Sequence, residues 1–169
     1  ISAEGEIYKN PFLANTLRQI AKGGRDAFYK GKMAKTMADF IQSQGGFLSE
    51  KDLADHRAEW VTPVSVNYRG YDVWELPPNG QGIAALQMLQ ILEGYDFSNI
   101  PYGSAEHIHL VTEAKKLAFE DRAKYYADMD FVQIPVETLL SDDYANERRE
   151  TIGDRAGSYN AGEISAGET

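Results

Sequence analysis

The amino-acid sequence predicts a helix-rich α/β chain with one small β-hairpin at residues 63–76. Three observations carry this. Val64 and Val66 alternate with Ser65 and Asn67, and Tyr71, Val73 and Leu76 continue a β-rich pattern beyond Arg69-Gly70. Period-two alternation with a glycine at the bend predicts two short strands joined by a tight turn. Pro77-Pro78-Asn79-Gly80 then stops the sheet. Two consecutive residues there lack a ladder N–H, and Asn-Gly tolerates positive φ. Beyond Gly82 the apolar positions are Ile83, Leu86, Leu89 and Ile91-Leu92, which is helical spacing. The period thus switches from strand to helix across a glycine-rich elbow.

The remaining elements follow from caps and stripes. Residues 1–9 form an entry segment. Asn10-Pro11 starts a helix, with asparagine as cap and proline at the first helical position. Phe12, Leu13, Thr16, Leu17 and Ile20 make its apolar face up to Gly23-Gly24. A second helix runs from about residue 26 to 43, with Phe28, Met33, Met37, Phe40 and Ile41 as its stripe. Gly31 costs it roughly 1 kcal/mol relative to alanine, which predicts a break there. Ser49 begins a third, short helix that stops near His56-Arg57. Glu59-Trp60-Val61 reads as a strand leading into the hairpin. After the 82–93 helix, Ser104 caps a long helix ending near Ala127, with Ile108, Val111, Leu117, Ala118 and Tyr125 as its apolar positions. Residues 128–135 are rich in turns. Two short helices follow at 136–140 and 141–152, the second capped by Ser141. From Gly153 to Thr169 large apolar residues nearly vanish, which predicts a flexible tail.

At 169 residues the length fits one domain. Apolar residues make up 43% and charged residues 25%, as in soluble globular proteins. A formal net charge of −9 speaks against general affinity for nucleic acid or anionic membrane. The absence of cysteine excludes disulfides, thiol catalysis and cysteine-ligated metals, and leaves the compartment open. No run approaches the roughly 18 apolar residues of a membrane span. A start at Ile1 rather than Met reads as a fragment or a processed piece.

Local chemistry points to no active site. His107 and His109 are two apart, hence on different helix faces, which disfavours a shared metal. Asp121-Arg122 and Asp128-Met129-Asp130 lack the twelve-residue calcium-loop pattern, so ion pairing of Glu120 or Asp121 with a neighbouring basic residue is the better reading. Gly80-Gln81-Gly82 precedes a helix, yet neither a P-loop nor a full GxGxxG surrounds it, and a tight strand-to-helix turn is favoured. No GxSxG elbow is present.

Several stretches nevertheless resemble one family. EWVTPVSVNYRGYDVWELPPNGQGIAALQMLQILEGYDF, the later AKKLAFEDRAKYYADMDFVQIPVETLLS and the earlier NPFLANTLRQIAKGGRDAFYKGKMAKTMADFIQSQGGFLSEKDLADHRAEW are similar, in this order, to γ-glutamyltranspeptidases. The likeness covers roughly residues 5–152. PPNGQG looks closer to the transpeptidase-like hydrolase branch than to forms with two serines at this turn.

The resemblance implies an N-terminal-nucleophile (Ntn) hydrolase with a four-layer αββα core, to which residues 1–152 contribute helices and the 63–76 hairpin. It implies a precursor that cleaves itself into a large and a small subunit. The new N-terminal threonine of the small subunit attacks a γ-glutamyl amide with its own α-amine as base, and an acyl-enzyme passes to water or an amino acid. Glutathione is the usual substrate, and no metal or organic cofactor is implied. The chain matches the C-terminal part of the large subunit. The family's substrate-gripping arginine lies upstream, so Arg18, Arg25, Arg57, Arg69 and Arg122 do not inherit its role. The implied partners are the small-subunit half of the precursor and a γ-glutamyl substrate, and unpaired sheet edges predict self-association of the isolated piece.

The one candidate site residue is Thr169. Ala166-Gly167-Glu168-Thr169 resembles the Gly-acid-Thr cleavage point of this branch, with residues 153–169 as the tail toward it. Thr169 is either the nucleophile, still joined to Glu168, or a linker threonine; both readings stand at this point. Two other functions also stand: a non-catalytic helical interaction module, and a related acylase acting on cephalosporin side chains.

Overall fold

Strands β1 (Val64–Tyr68) and β2 (Tyr71–Glu75) pair antiparallel, with Val66 opposite Val73 and Tyr68 opposite Tyr71. This register leaves Arg69 and Gly70 as the two turn residues, both at positive φ, as a tight hairpin with right-twisted strands requires. The structure, a computed structural model, describes residues 3–164. The chain divides into two units, Ile1–Glu59 and Trp60–Thr169, where its length predicted one.

The first unit is helical. Helix α1 (Pro11–Tyr29) is capped by the Asn10 side chain, which accepts from the Leu13 N–H at 2.9 Å. It is interrupted at Gly24, whose φ of 63° lies where other residues are strained. Helix α2 (Gly31–Ser43) follows after an extended Lys30, so the predicted break at Gly31 is present. Helix α3 (Glu50–Asp55) starts in a reciprocal capping box between Ser49 and Asp52. Among the described residues of this unit only Ala34 and Ala38 are buried, and the Phe12, Leu13 and Leu17 face of α1 is exposed.

The second unit is built around helix α4 (Gly82–Glu93). Ile83, Ala84, Leu86, Ile91 and Leu92 are buried on it, together with Gln87 and Gln90. A helix buried on most of its circumference belongs at the centre of a core. Helix α5 (Ala105–Tyr125), capped by Ser104 through the His107 N–H, packs along it. Helices α6 (Val136–Leu139) and α7 (Asp142–Glu150) and the hairpin complete this unit. One apolar cluster joins Ile91, Leu92, Leu110, Ala114, Leu117 and Ala145; another joins Ile83, Ile134, Leu139 and Tyr144.

Three expectations are corrected. Glu59-Trp60-Val61 forms no strand, and the described residues contain only the β1–β2 pairing, so this segment has no ladder to join. Ile108 belongs to the outer face of α5 and is exposed; Leu110 and Ala114 occupy the stripe instead. Residues 153–164 hold neither helix nor strand, yet are not loose: they lie along α5 in the hydrogen bonds described below.

Leu86 is fully buried at the centre of α4. Leu86→Ala is expected to cost about 2–5 kcal/mol by urea denaturation, against about 1 kcal/mol for Ser104→Ala, which removes one cap.

Candidate functional site

Helix α5 buries Leu110, Glu113, Ala114, Leu117, Ala118 and Asp121. Their spacing of three and four places all six on one face. Two of the six are carboxylates, each about 1% exposed or less. A buried charge is costly unless paired and hydrogen-bonded, so these two acids demand partners, and the C-terminal segment supplies half of them.

Glu113 accepts from the Lys116 ammonium at 2.6 Å, the Gly157 N–H at 2.9 Å and the Tyr159 hydroxyl at 2.6 Å. Burial works against its ionised form, but the bonds from Lys116, Tyr159 and Gly157 prevail and hold its pKa at about 2. Tyr159 is pushed the other way, to about 12, by burial first and by its bond to Glu113 second. Glu113 is therefore a fixed acceptor near neutral pH, with both oxygens occupied.

Asp121 ties three elements together. It accepts from Gln87 Nε2 of α4 at 3.0 Å and from the Gly162 N–H at 2.9 Å, and it pairs with Arg148 of α7 at 3.4 Å. Ion pairing of Asp121 was the expected kind of contact, but the cation comes from α7 rather than from its own helix. Arg148 also donates to the Asn160 carbonyl at 2.9 Å. Tyr126 donates to Gln87 Oε1, and the tyrosine is shifted upward by burial and then by Asp121.

The segment is fastened at further points. His109 Nε2 meets the Gly153 carbonyl at 2.7 Å, and Lys116 donates to the Gly157 carbonyl at 3.1 Å. The Tyr125 hydroxyl donates to the Gly162 carbonyl at 2.6 Å and accepts from the Ile164 N–H at 3.2 Å. The partners on α5 are His109, Glu113, Lys116, Asp121, Lys124 and Tyr125. Gly162 is buried, and a Cβ there would collide with the Tyr144 ring and hydroxyl. Residues 153–164 thus form a strap laid along α5.

The other sequence candidates are structural. His107 packs on the rings of Tyr102 and Phe97, so the two histidines serve different neighbours. Gly80-Gln81-Gly82 makes the turn into α4, beside Arg122 and Tyr126. Arg69 donates to the Tyr95 carbonyl at 2.6 Å and Arg25 to the His56 carbonyl, each within its own unit. Thr169 lies outside the described residues. Glu113, Tyr159 and Arg148 escaped the sequence reading. A signal for the first existed: two acids eight apart within an otherwise small and apolar helix stripe.

Glu113 stabilises the fold through a depressed pKa. Its contribution is present in full above the ordinary carboxylate value of about 4.5 and is lost as pH falls toward about 2. Glu113→Gln is expected to lower stability at pH 7 and to flatten the stability profile between those pH values, read by thermal unfolding across pH. Glu113→Ala, which leaves the Gly157 N–H and the Tyr159 hydroxyl without their acceptor, is expected to cost roughly 2–4 kcal/mol.

Comparison with known proteins completes the picture. The family model for gamma-glutamyltranspeptidase matches residues 1–168. The chain is 44% identical over 149 residues to the glutathione hydrolase-like YwrD proenzyme of Bacillus subtilis, covering 88% of this chain and 28% of that protein. It is 42% identical over 158 residues to the acylase ACY 1 proenzyme of a Pseudomonas species, covering 92% and 28% respectively. Among solved structures, γ-glutamyltranspeptidase from Helicobacter pylori superposes with a TM-score of 0.75 at 32% identity, over 98% of this chain and 50% of that one. Cephalosporin acylase from Bacillus halodurans superposes with a TM-score of 0.75 at 43% identity, over 94% and 29%. The chain spans little more than a quarter of the length of the curated relatives it matches. With its helix-rich α/β architecture and small antiparallel hairpin, it belongs to the γ-glutamyltranspeptidase family of Ntn hydrolases.

Proposed function

We propose that the chain is the large-subunit portion of a γ-glutamyltransferase or glutathione hydrolase precursor, and that Thr169 is its nucleophile, released by cleavage of the Glu168–Thr169 bond. One observation carries this reading. The stretch that precedes Ala166-Gly167-Glu168-Thr169 is fastened by two buried carboxylates, an expensive device for a segment of arbitrary linker.

The chemistry follows from a hydroxyl beside an amide. The Thr169 Oγ1 attacks the Glu168 carbonyl carbon, the C–N bond breaks, and the hydroxyl proton ends on the departing nitrogen. Water then hydrolyses the resulting ester, leaving a Glu168 carboxylate and a free α-amine on Thr169. That amine is the base for the next reaction, in which the same hydroxyl takes the acyl group of a γ-glutamyl amide. The acyl-enzyme is discharged by water or by an amino acid.

The described residues supply the wall behind this chemistry. Groups that grip the substrate belong to the remainder of the precursor, and the wall alone is inactive. Its exposed apolar residues, among them Phe12 and Leu17 in the first unit and Trp74 and Leu76 at β2, suit contact with that remainder. Isolated, the chain is expected to self-associate, and a clean monomer by sedimentation would contradict this.

A second reading, an acylase acting on cephalosporin side chains, is favoured by the 42–43% identity to two acylases. Both reactions open an amide through an acyl-enzyme, and substrate choice lies outside these residues. The deciding assay offers the full-length precursor γ-glutamyl-p-nitroanilide and a cephalosporin side-chain amide in parallel. Faster turnover of the first supports the glutathione hydrolase reading, and faster turnover of the second replaces it. The 169 residues alone should turn over neither; robust hydrolysis by them would overturn the proposed division of labour.

A further inference from the structure

The elbow between β2 and α4 holds the one asparagine of the chain that is followed by glycine, Asn79-Gly80. Both residues lie outside helix and strand, and both are exposed. Among the described residues the Gly80 N–H enters no hydrogen bond, and none holds the Asn79 carboxamide. Other asparagines are placed differently: Asn10 caps α1, Asn67 is tied to Asp72 and Gly70, and Asn146 lies within α7. A Cβ on Gly80 would meet nothing within 4 Å, so no neighbour crowds its main chain. An unshielded backbone nitrogen thus follows directly after a side-chain amide carbon that nothing restrains. Two such groups in one short segment react as an intramolecular pair, without the entropy loss of bringing two molecules together.

We propose that Asn79 is a self-modification site, where the folded elbow lets the Gly80 nitrogen convert the asparagine to aspartate and isoaspartate. The Gly80 nitrogen forms a bond to Asn79 Cγ and gives up its proton. The Cγ–Nδ2 bond breaks, and ammonia leaves with that proton. Water then opens the cyclic imide, its hydroxyl going to a carbonyl carbon and its hydrogen to the Gly80 nitrogen. Opening at Cγ restores the main chain and leaves aspartate. Opening at the Asn79 main-chain carbonyl carbon routes the chain through the side chain and leaves isoaspartate. Asn79, Gly80 and Gln81 line an open cavity of about 440 Å³ together with Arg122, Ala123 and Tyr126. The product therefore adds a carboxylate to a cavity whose one charged lining residue is Arg122. It also adds that charge just before the first turn of α4, where a negative group is favoured. Isoaspartate in addition lengthens the main chain between β2 and α4 by one atom. None of this depends on Thr169 or on which amide the whole protein opens.

The test ages the folded full-length precursor at neutral pH, read by peptide mapping with mass spectrometry and by an isoaspartate-specific methyltransferase. The peptide carrying Asn79 is expected to gain one mass unit, to split into aspartyl and isoaspartyl forms, and to become a methyl acceptor. It is expected to do so ahead of every other asparagine in the chain. A synthetic peptide of residues 74–85 supplies the rate without a fold. The folded rate is expected to lie within about tenfold of it, because no hydrogen bond has to open first. Gly80 is not at positive φ and has room for a methyl group. Gly80→Ala is therefore accommodated, and the loss of glycine's backbone freedom is expected to slow conversion at least about threefold. A folded rate more than about tenfold below that of the peptide would overturn the proposal, since the elbow would then be protected. So would an Asn79 peptide that converts no faster than those carrying Asn67 and Asn146. The measurements on the parent protein decide the matter by themselves should Gly80→Ala not fold.

Discussion

The second unit depends on the pairing of Asp121. This carboxylate is fully buried, and it meets an amide from α4, a guanidinium from α7 and a backbone N–H from the strap. Each partner comes from a different part of the chain, and none can be withdrawn cheaply, because an unpaired buried charge costs several kcal/mol. The arrangement therefore does more than a hydrophobic contact of equal area. Apolar packing between α4, α5 and α7 tolerates sliding by a fraction of a turn, whereas two hydrogen bonds and an ion pair to one carboxylate define where each element must stop. Glu113 repeats the device two turns earlier with its own set of donors, so the strap is held at two heights along one helix. A single rigid element with acceptors at fixed spacing thereby converts a segment without regular structure into one with a defined path.

The elements themselves were legible in the sequence to a large degree. The hairpin, the elbow and α4 followed from a change of apolar period, and the ends of α1, α3, α5 and α7 followed from Asn10, Ser49, Ser104 and Ser141, each of which caps the helix it was expected to cap. These are local features, decided within a turn of the residue concerned. The misreadings concern long-range partners. Trp60 and Val61 have strand-forming side chains, but a strand exists only beside another, and period alone cannot say whether a neighbour is available. Ile108 looked like core because it is large and apolar, while Glu113 drew no reading and Asp121 was expected only in an ion pair. The helical spacing of Leu110, Ala114, Leu117 and Ala118 already defined the buried face, and both acids lie on it. Spacing was the better guide than polarity.

The family relationship was legible for a different reason. It rests on ordered runs of residues through most of the chain, and the family match extends over residues 1–168. The residues expected to touch substrate could not be read in the same way. Thr169 stands beyond the described residues, and the chain covers little more than a quarter of its curated relatives. The exposed surface agrees with a partial wall. A two-stranded sheet is too small to be stable without something packed on it, and here only one side is covered: Val66 is buried toward the core, while Trp74 on the opposite side is exposed. In the first unit, α1 buries no residue at all. An amphipathic helix with an uncovered stripe gains little from folding alone, so each unit has apolar surface that its own described residues do not cover.

The composition of the strap explains why it is held by charge rather than by packing. Between Gly153 and Gly162 the only large side chains are those of Arg155 and Tyr159. Hydrophobic burial scales with apolar area, at about 25 cal/mol per Å², and ten such residues present little of it. Fixing their backbone still costs roughly 1–2 kcal/mol per residue. Hydrogen bonds to charged groups, at about 1.5–3 kcal/mol each, are the strongest non-covalent contacts that small residues can make through their main chain. They also require close approach, which glycine permits and larger residues prevent. The same feature that made the segment look unstructured, its scarcity of side chains, is what lets its backbone reach the carboxylates of α5. A low content of apolar residues argues for disorder only when the neighbouring surface offers nothing but apolar contact; opposite a helix that buries two acids, it argues for a seat.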